Sequence, residues 1–96
     1  MSPYKRVLLK LSGEFMANET GYGVDPVTID QVSEQIMGAL QYNVEMAIVI
    51  GAGNIWRGSS ALARGMEQAT ADYMGMVATV INAIALQDSL ERMGVI

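Results

Sequence analysis

The 96-residue sequence contains no cysteine and no histidine. The first absence excludes a disulfide framework, a thiolate zinc site and a thiol nucleophile; the second removes the commonest general base and metal ligand. Any chemistry must rest on Lys, Arg, Asp, Glu, Ser and backbone groups. Basic residues are also few, six Lys and Arg against ten Asp and Glu, for a formal charge of −4. No run of Lys or Arg offers an electrostatic grip on a nucleic-acid backbone or an anionic membrane, so any phosphate binding has to be local. The apolar stretch near the N-terminus is broken at Lys10 and has no small-residue cleavage site, unlike a signal peptide. The most apolar later stretch, Met74 to Leu86, contains Gly75, Thr79 and Asn82 and falls short of the roughly 20 residues a bilayer requires. A cytoplasmic location is expected. What the chain does have is apolar content, 51% of its residues, enough for one modest core.

Arg6 to Leu11 (RVLLKL) is a short apolar run without clean alternation, the pattern of a strand covered on both faces as in a parallel sheet. Asn18 to Gly23 (NETGYG) reads as a surface loop. Asp25-Pro26 then supplies a helix N-cap and a first-turn proline, followed by Ile29, Val32, Ile36 and Leu40 at helical spacing. Met46 to Ile50 is a second apolar strand, stopped by Gly51. From Ala69 to Met93, the residues Met76, Val77, Val80, Ile81, Ile84 and Leu90 recur at helical spacing, with Gly94 as C-cap. Val95-Ile96 reads as the opening of a third strand. The order β-α-β-α-(β) predicts an α/β layer with parallel strands and right-handed crossovers. Two strands cannot cover two helices, one of them apolar around most of its circumference, so its apolar faces need partners outside these residues. No internal repeat or linker divides the chain.

Parallel strands put both carboxyl ends on one sheet edge, where Ser12-Gly13 and Gly51 to Gly53 can converge on a crevice. The second loop, GAGNIWRG, is tested against three phosphate motifs. G-x-G-x-x-G requires glycine at position 56, which is Trp56, and this excludes both the dinucleotide fingerprint and the protein-kinase loop. The Walker A motif needs a Gly-Lys pair, and none occurs. What remains is a strand followed by Gly51-Ala52-Gly53-Asn54 and Arg57, beside a strand ending in Lys10, Ser12 and Gly13. Glycines at 13, 51 and 53 can take dihedral angles closed to other residues and let backbone N–H groups approach phosphoryl oxygens. Arg57 offers a planar fork of donors and Lys10 a mobile point charge, and fixed positive charge of this kind neutralises a migrating phosphoryl group.

Plainer explanations stand beside these. A glycine pair after a strand is most often a turn, a lone strand-end lysine a solvated charge, and Arg57 a surface residue. Asp72 at the head of a helix serves equally as a cap or dipole partner and as an acceptor for ribose hydroxyls. Met74 and Met76 fit core or subunit contact better than a ligand pocket.

Taken together, KRVLLKLSGE, GYGVD, VIGAGNIWRG and TADYMGMVATVINAIALQDSLE closely resemble, in order and spacing, the N-terminal portion of the bacterial uridylate (UMP) kinases of the amino-acid-kinase family. The resemblance covers essentially the whole chain, residues 1–96, as the N-terminal part of one domain. It implies a three-layer αβα sandwich with a mainly parallel sheet, incomplete in these residues. It further implies transfer of the γ-phosphoryl group of ATP to UMP, giving UDP in pyrimidine nucleotide biosynthesis, with Mg²⁺. In family terms Lys10 is catalytic; Lys10, Leu11, Ser12, Gly13, Gly53 and Arg57 contact ATP; and Ala52 and Asp72 contact UMP. Asn18, Glu19, Thr20, Gly21, Tyr22 and Gly23 match a loop implicated in activation by GTP, and UTP is the corresponding inhibitor. Hexamers are the expected assembly, with the helix from Ala69 at a dimer contact.

Two departures from the family matter. Position 52 is Ala where many members have Gly, which a contact made through backbone N–H tolerates. The family's further UMP segment, catalytic aspartate, metal ligands and adenine site are expected beyond Ile96, so these 96 residues alone should not be a competent kinase. The rival readings are another amino-acid kinase, of the carbamate or acetylglutamate type, and a non-catalytic nucleotide-binding or oligomerisation module.

Overall fold

The computed structural model of the protein describes residues 4–17, 22–56 and 62–95. Strand β1, Arg6–Leu11, leads through a short 3-10 turn, Gly13–Met16, to helix α1, Pro26–Leu40; strand β2, Glu45–Ile50, and helix α2, Gln68–Arg92, follow. The two strands pair in parallel with Arg6 opposite Glu45 and Leu11 opposite Ile50. Their carboxyl ends therefore share one edge, as the element order predicts.

Both strands alternate along their length. Leu9, Leu11, Met46, Ile48 and Ile50 pack against a core of Met16, Ile29, Ile36 and Leu86. Leu8 and Val49 lie on the other face and stay 69% and 49% exposed. Among the described residues the helices occupy one side of the sheet, and Leu8, Lys10, Ala47 and Val49 form the other side, which they leave open. The described residues thus form a helix layer and a sheet layer, two of the three layers of an αβα sandwich. Burying each Ile or Leu of the core contributes about 1.5–3 kcal/mol.

Helix α1 begins as its sequence dictates. The Asp25 carboxylate accepts from the Thr28 N–H at 3.0 Å and from the Thr28 hydroxyl at 2.6 Å, satisfying one of the donors that a helix start leaves orphaned. Helix α2 ends in a Schellman arrangement: Val95 N–H donates to Leu90 O, and Gly94 N–H donates to Glu91 O, both at 3.0 Å. Gly94 takes φ of 96°, a conformation with a steric cost for any side chain. Val95 is drawn into this cap and is not in a strand, and Ile96 lies outside the described residues. A third strand is therefore not found among the described residues.

Helix α2 is apolar around most of its circumference, and one face of it is buried. Its buried positions are Ala71, Ala78, Asn82, Leu86 and Ser89, whereas Met76, Val77, Val80, Ile81 and Ile84 are 47–62% exposed. Ala71 and Asn82 meet the loop after β2, through Trp56, Gly51 and Asn54, whereas Ser89 faces α1, where Ser33 is also fully buried. Ser89 donates to Asp30 at 2.7 Å across the helix pair. Arg92 bonds Asp88 at 2.9 Å and Asp30 at 3.4 Å, and these carboxylates, Asp88 first, hold its guanidinium above its ordinary pKa. By length and composition alone α2 could cross a membrane; here it lies along α1, with Asn82 and Ser89 buried and Asp72 and Asp88 exposed.

Candidate functional site

The two glycine loops meet at the shared sheet edge. The strand pairing runs one bond past β2, with Gly51 N–H donating to Leu11 O at 2.9 Å. The chain then turns tightly, and both Ile55 N–H and Trp56 N–H donate to Ala52 O at 2.9 Å. Gly13 lies directly on this turn. A β-carbon at Gly13 would overlap the Gly53 amide nitrogen and come within 2.6 Å of Asn54 Oδ1 and 2.8 Å of the Ala52 carbonyl carbon. One at Gly51 would lie 3.3 Å from Gly13 N. Neither Gly13 nor Gly51 has a positive φ. Space, and not forbidden dihedral angles, is therefore the reason for glycine at these two positions.

Beside the turn lies an open groove of about 470 Å³, lined by Ala52, Gly53, Trp56, Ala71, Asp72, Gly75, Met76 and Thr79. The Trp56 indole N–H donates to Ala71 O at 3.0 Å and fixes the ring at the boundary between loop and helix. Asp72 is the fifth residue of α2, which starts at Gln68 with Glu67 as N-cap. It does not cap the helix, as one expectation had it; it is exposed on the groove wall. Met76 shares that wall, and Met74 faces a separate apolar groove. With exposures of 62% and 41% respectively, neither is core.

The structure brings Gly13, Ala52, Gly53 and Asp72 into one region. Lys10 pairs with Val49 and is exposed on the open face of the sheet; it does not line the groove. Leu11 is half-buried under the helices and Ser12 is exposed at the strand end. Arg57 and residues 18–21 lie outside the described residues, whereas Tyr22 and Gly23 are described. Among the described residues no three acidic side chains gather as a metal site.

Reading the sequence alone overlooked two residues. Asn54 and Asn82 are both fully buried and bonded to each other in both directions, Asn54 Nδ2 to Asn82 Oδ1 at 3.1 Å and Asn82 Nδ2 to Asn54 Oδ1 at 2.8 Å. The signal was present: Asn82 follows Ala78 and precedes Leu86 by one helical turn each, and a polar residue on such a stripe demands a partner when buried.

A sequence profile of the amino acid kinase family matches residues 5–95. The chain belongs to the amino acid kinase family. Among solved members of similar structure, a UMP kinase from Bacillus anthracis is 37% identical with a TM-score of 0.86, over 95% of this chain and 37% of that one. A UMP kinase from Ureaplasma parvum gives the same identity and TM-score over 96% of this chain and 40% of its own. The chain thus spans about two fifths of the length of these amino acid kinases. Their likeness identifies the two described layers as part of the amino-acid-kinase fold.

Proposed function

We propose that the chain supplies the phosphate-side loops and one nucleotide wall of a UMP kinase, which moves the γ-phosphoryl group of ATP to UMP to give UDP and ADP. The observation carrying this reading is the groove in which Ala52 and Gly53 face Asp72, in a chain 37% identical to UMP kinases. Backbone N–H groups around Gly53, with Gly13 packed against them, are suited to phosphoryl oxygens. Asp72 is suited to accept hydrogen bonds from ribose hydroxyls. Lys10, one residue before the end of β1, would bring its ammonium to the transferring group as a point charge, joined by Arg57, Leu11 and Ser12 at the ATP phosphates. Mg²⁺ would neutralise phosphate charge in such a transfer, and the described residues gather no ligand set for it.

In this reading the enzyme works in the cytoplasm as a homo-oligomer, a hexamer, through the apolar outer face of α2. GTP would activate it through residues 18–23, with UTP as inhibitor. The link from Gly23 to Asn54, N–H to carbonyl at 2.8 Å, gives such an effector loop a path to the groove.

ATP turnover by the protein expressed from its full coding sequence decides the matter. UMP is expected to drive ADP release, and carbamate or acetylglutamate is not. Turnover with a carboxylate or carbamate substrate, and none with UMP, would move the protein to another branch of the family. Turnover with none of them would leave the non-catalytic module.

A further inference from the structure

The Asn54–Asn82 pair satisfies every side-chain polar atom it carries. Asn54 Nδ2 donates to Gly23 O at 2.8 Å and to Asn82 Oδ1 at 3.1 Å. Asn82 Nδ2 donates to Gly51 O at 2.8 Å and to Asn54 Oδ1 at 2.8 Å. Four amide protons and two amide oxygens are all engaged, which fixes the orientation of both groups: turning either amide would set donor against donor or oxygen against oxygen.

A pair of apolar residues could fill this volume without desolvating two amides. What it could not do is hold the Gly51 and Gly23 carbonyls. Asn82 belongs to α2, the same rigid element that carries Asp72, ten residues and roughly 15 Å earlier along the axis. A tie from Asn82 to Gly51 therefore sets the glycine turn at a fixed place relative to Asp72. Gly23 closes the circuit, since its own N–H returns to Asn54 O at 2.8 Å. Gly23 holds φ of 81° to present both groups.

We propose that Asn54 and Asn82 are positioning residues: they hold the Ala52–Gly53 backbone in register with Asp72, and Asn54 makes that register depend on the segment at Gly23. The proposal rests on the phosphoryl-transfer reading for its consequence in rate, and on geometry alone for the clamp. Misplacing reacting groups by about 1 Å costs roughly a hundredfold in rate.

The test uses the protein expressed from its full coding sequence. Asn82→Asp keeps the volume and removes the donors to Gly51 and Asn54. The expected result is a kcat roughly a hundredfold lower, with KM for ATP and UMP changed severalfold at most. A folded variant with kcat within about twofold of the parent overturns the proposal. If the variant does not fold, amide exchange in the unaltered protein decides. Gly23 N–H is expected to exchange as slowly as the buried centre of α2, and fast exchange at Gly23 beside a protected α2 overturns the clamp. A parent without UMP-dependent turnover defeats the functional reading, and the clamp then stands or falls on exchange alone.

Discussion

Gly13 sits on the Gly53 amide nitrogen so closely that no side chain fits between them. Residues forty positions apart in the chain thereby form one surface, and the obstacle to any larger residue is backbone on the opposite side. Gly13→Ala should therefore cost about 3 kcal/mol, the upper end for overpacking, because peptide groups cannot swing away as a flexible side chain would. A urea titration checks this, and a midpoint equal to the parent's would mean that the two loops do not meet.

Trp56 is the sole tryptophan of these 96 residues, and its indole N–H is tied to Ala71 O on the wall of the groove. The emission of Trp56, isolated as the difference between the parent and a Trp56→Phe variant, therefore reports on this place. Adding UMP to the full-length protein is expected to change that emission saturably, and Asp72→Asn should weaken the apparent affinity about tenfold through loss of a charged acceptor, roughly 1.4 kcal/mol. Emission that ignores UMP while turnover proceeds would place the nucleotide elsewhere.

The Asp25 cap tests the local chemistry of the fold. Its carboxylate holds both the backbone and the hydroxyl of Thr28, so Asp25→Ala should lower stability by about 1–2 kcal/mol and Asp25→Ser by a few tenths. Equal midpoints for both variants in thermal unfolding would show that Pro26 alone starts α1.

The parts of the fold legible in the sequence are those governed by local rules. Asp25-Pro26 marks the start of α1, Gly94 the end of α2, and the β-α-β order sets the parallel pairing that brings Gly13 to Gly53. Legibility stops where partners decide. On α2 the apolar residues run around most of the circumference, and the structure buries the face with Ala71, Ala78, Asn82, Leu86 and Ser89, set by Asn82 at the Gly51 turn and Ser89 at Asp30 of α1. Periodicity reports that a helix has faces without saying which one a neighbour takes. The Asn54–Asn82 pair was hidden for the same reason, because an amide's partner 28 residues away leaves no local pattern. In the candidate site, the glycine loops and Asp72 could be picked out by type and spacing, whereas Trp56 as a wall residue depends on its bond to Ala71.

The outward face of α2 yields the last expectation. Tyr73, Met74, Val77 and Ile81 line an apolar groove of about 300 Å³ with Ile55, Trp56 and Ala78, and Val80 and Ile84 extend exposed apolar surface along the helix. In the homo-oligomer proposed above, this contiguous apolar surface would be the subunit contact. Ile81 is 47% exposed, so Ile81→Lys should change the stability of a single subunit by no more than about 0.5 kcal/mol. Buried between two copies, the same charge would be desolvated without a partner, at a cost of several kcal/mol. Sedimentation velocity of the full-length protein is therefore expected to show the variant as a smaller particle than the parent, with its far-UV spectrum unchanged. A variant that sediments like the parent would mean that subunits do not assemble through this face.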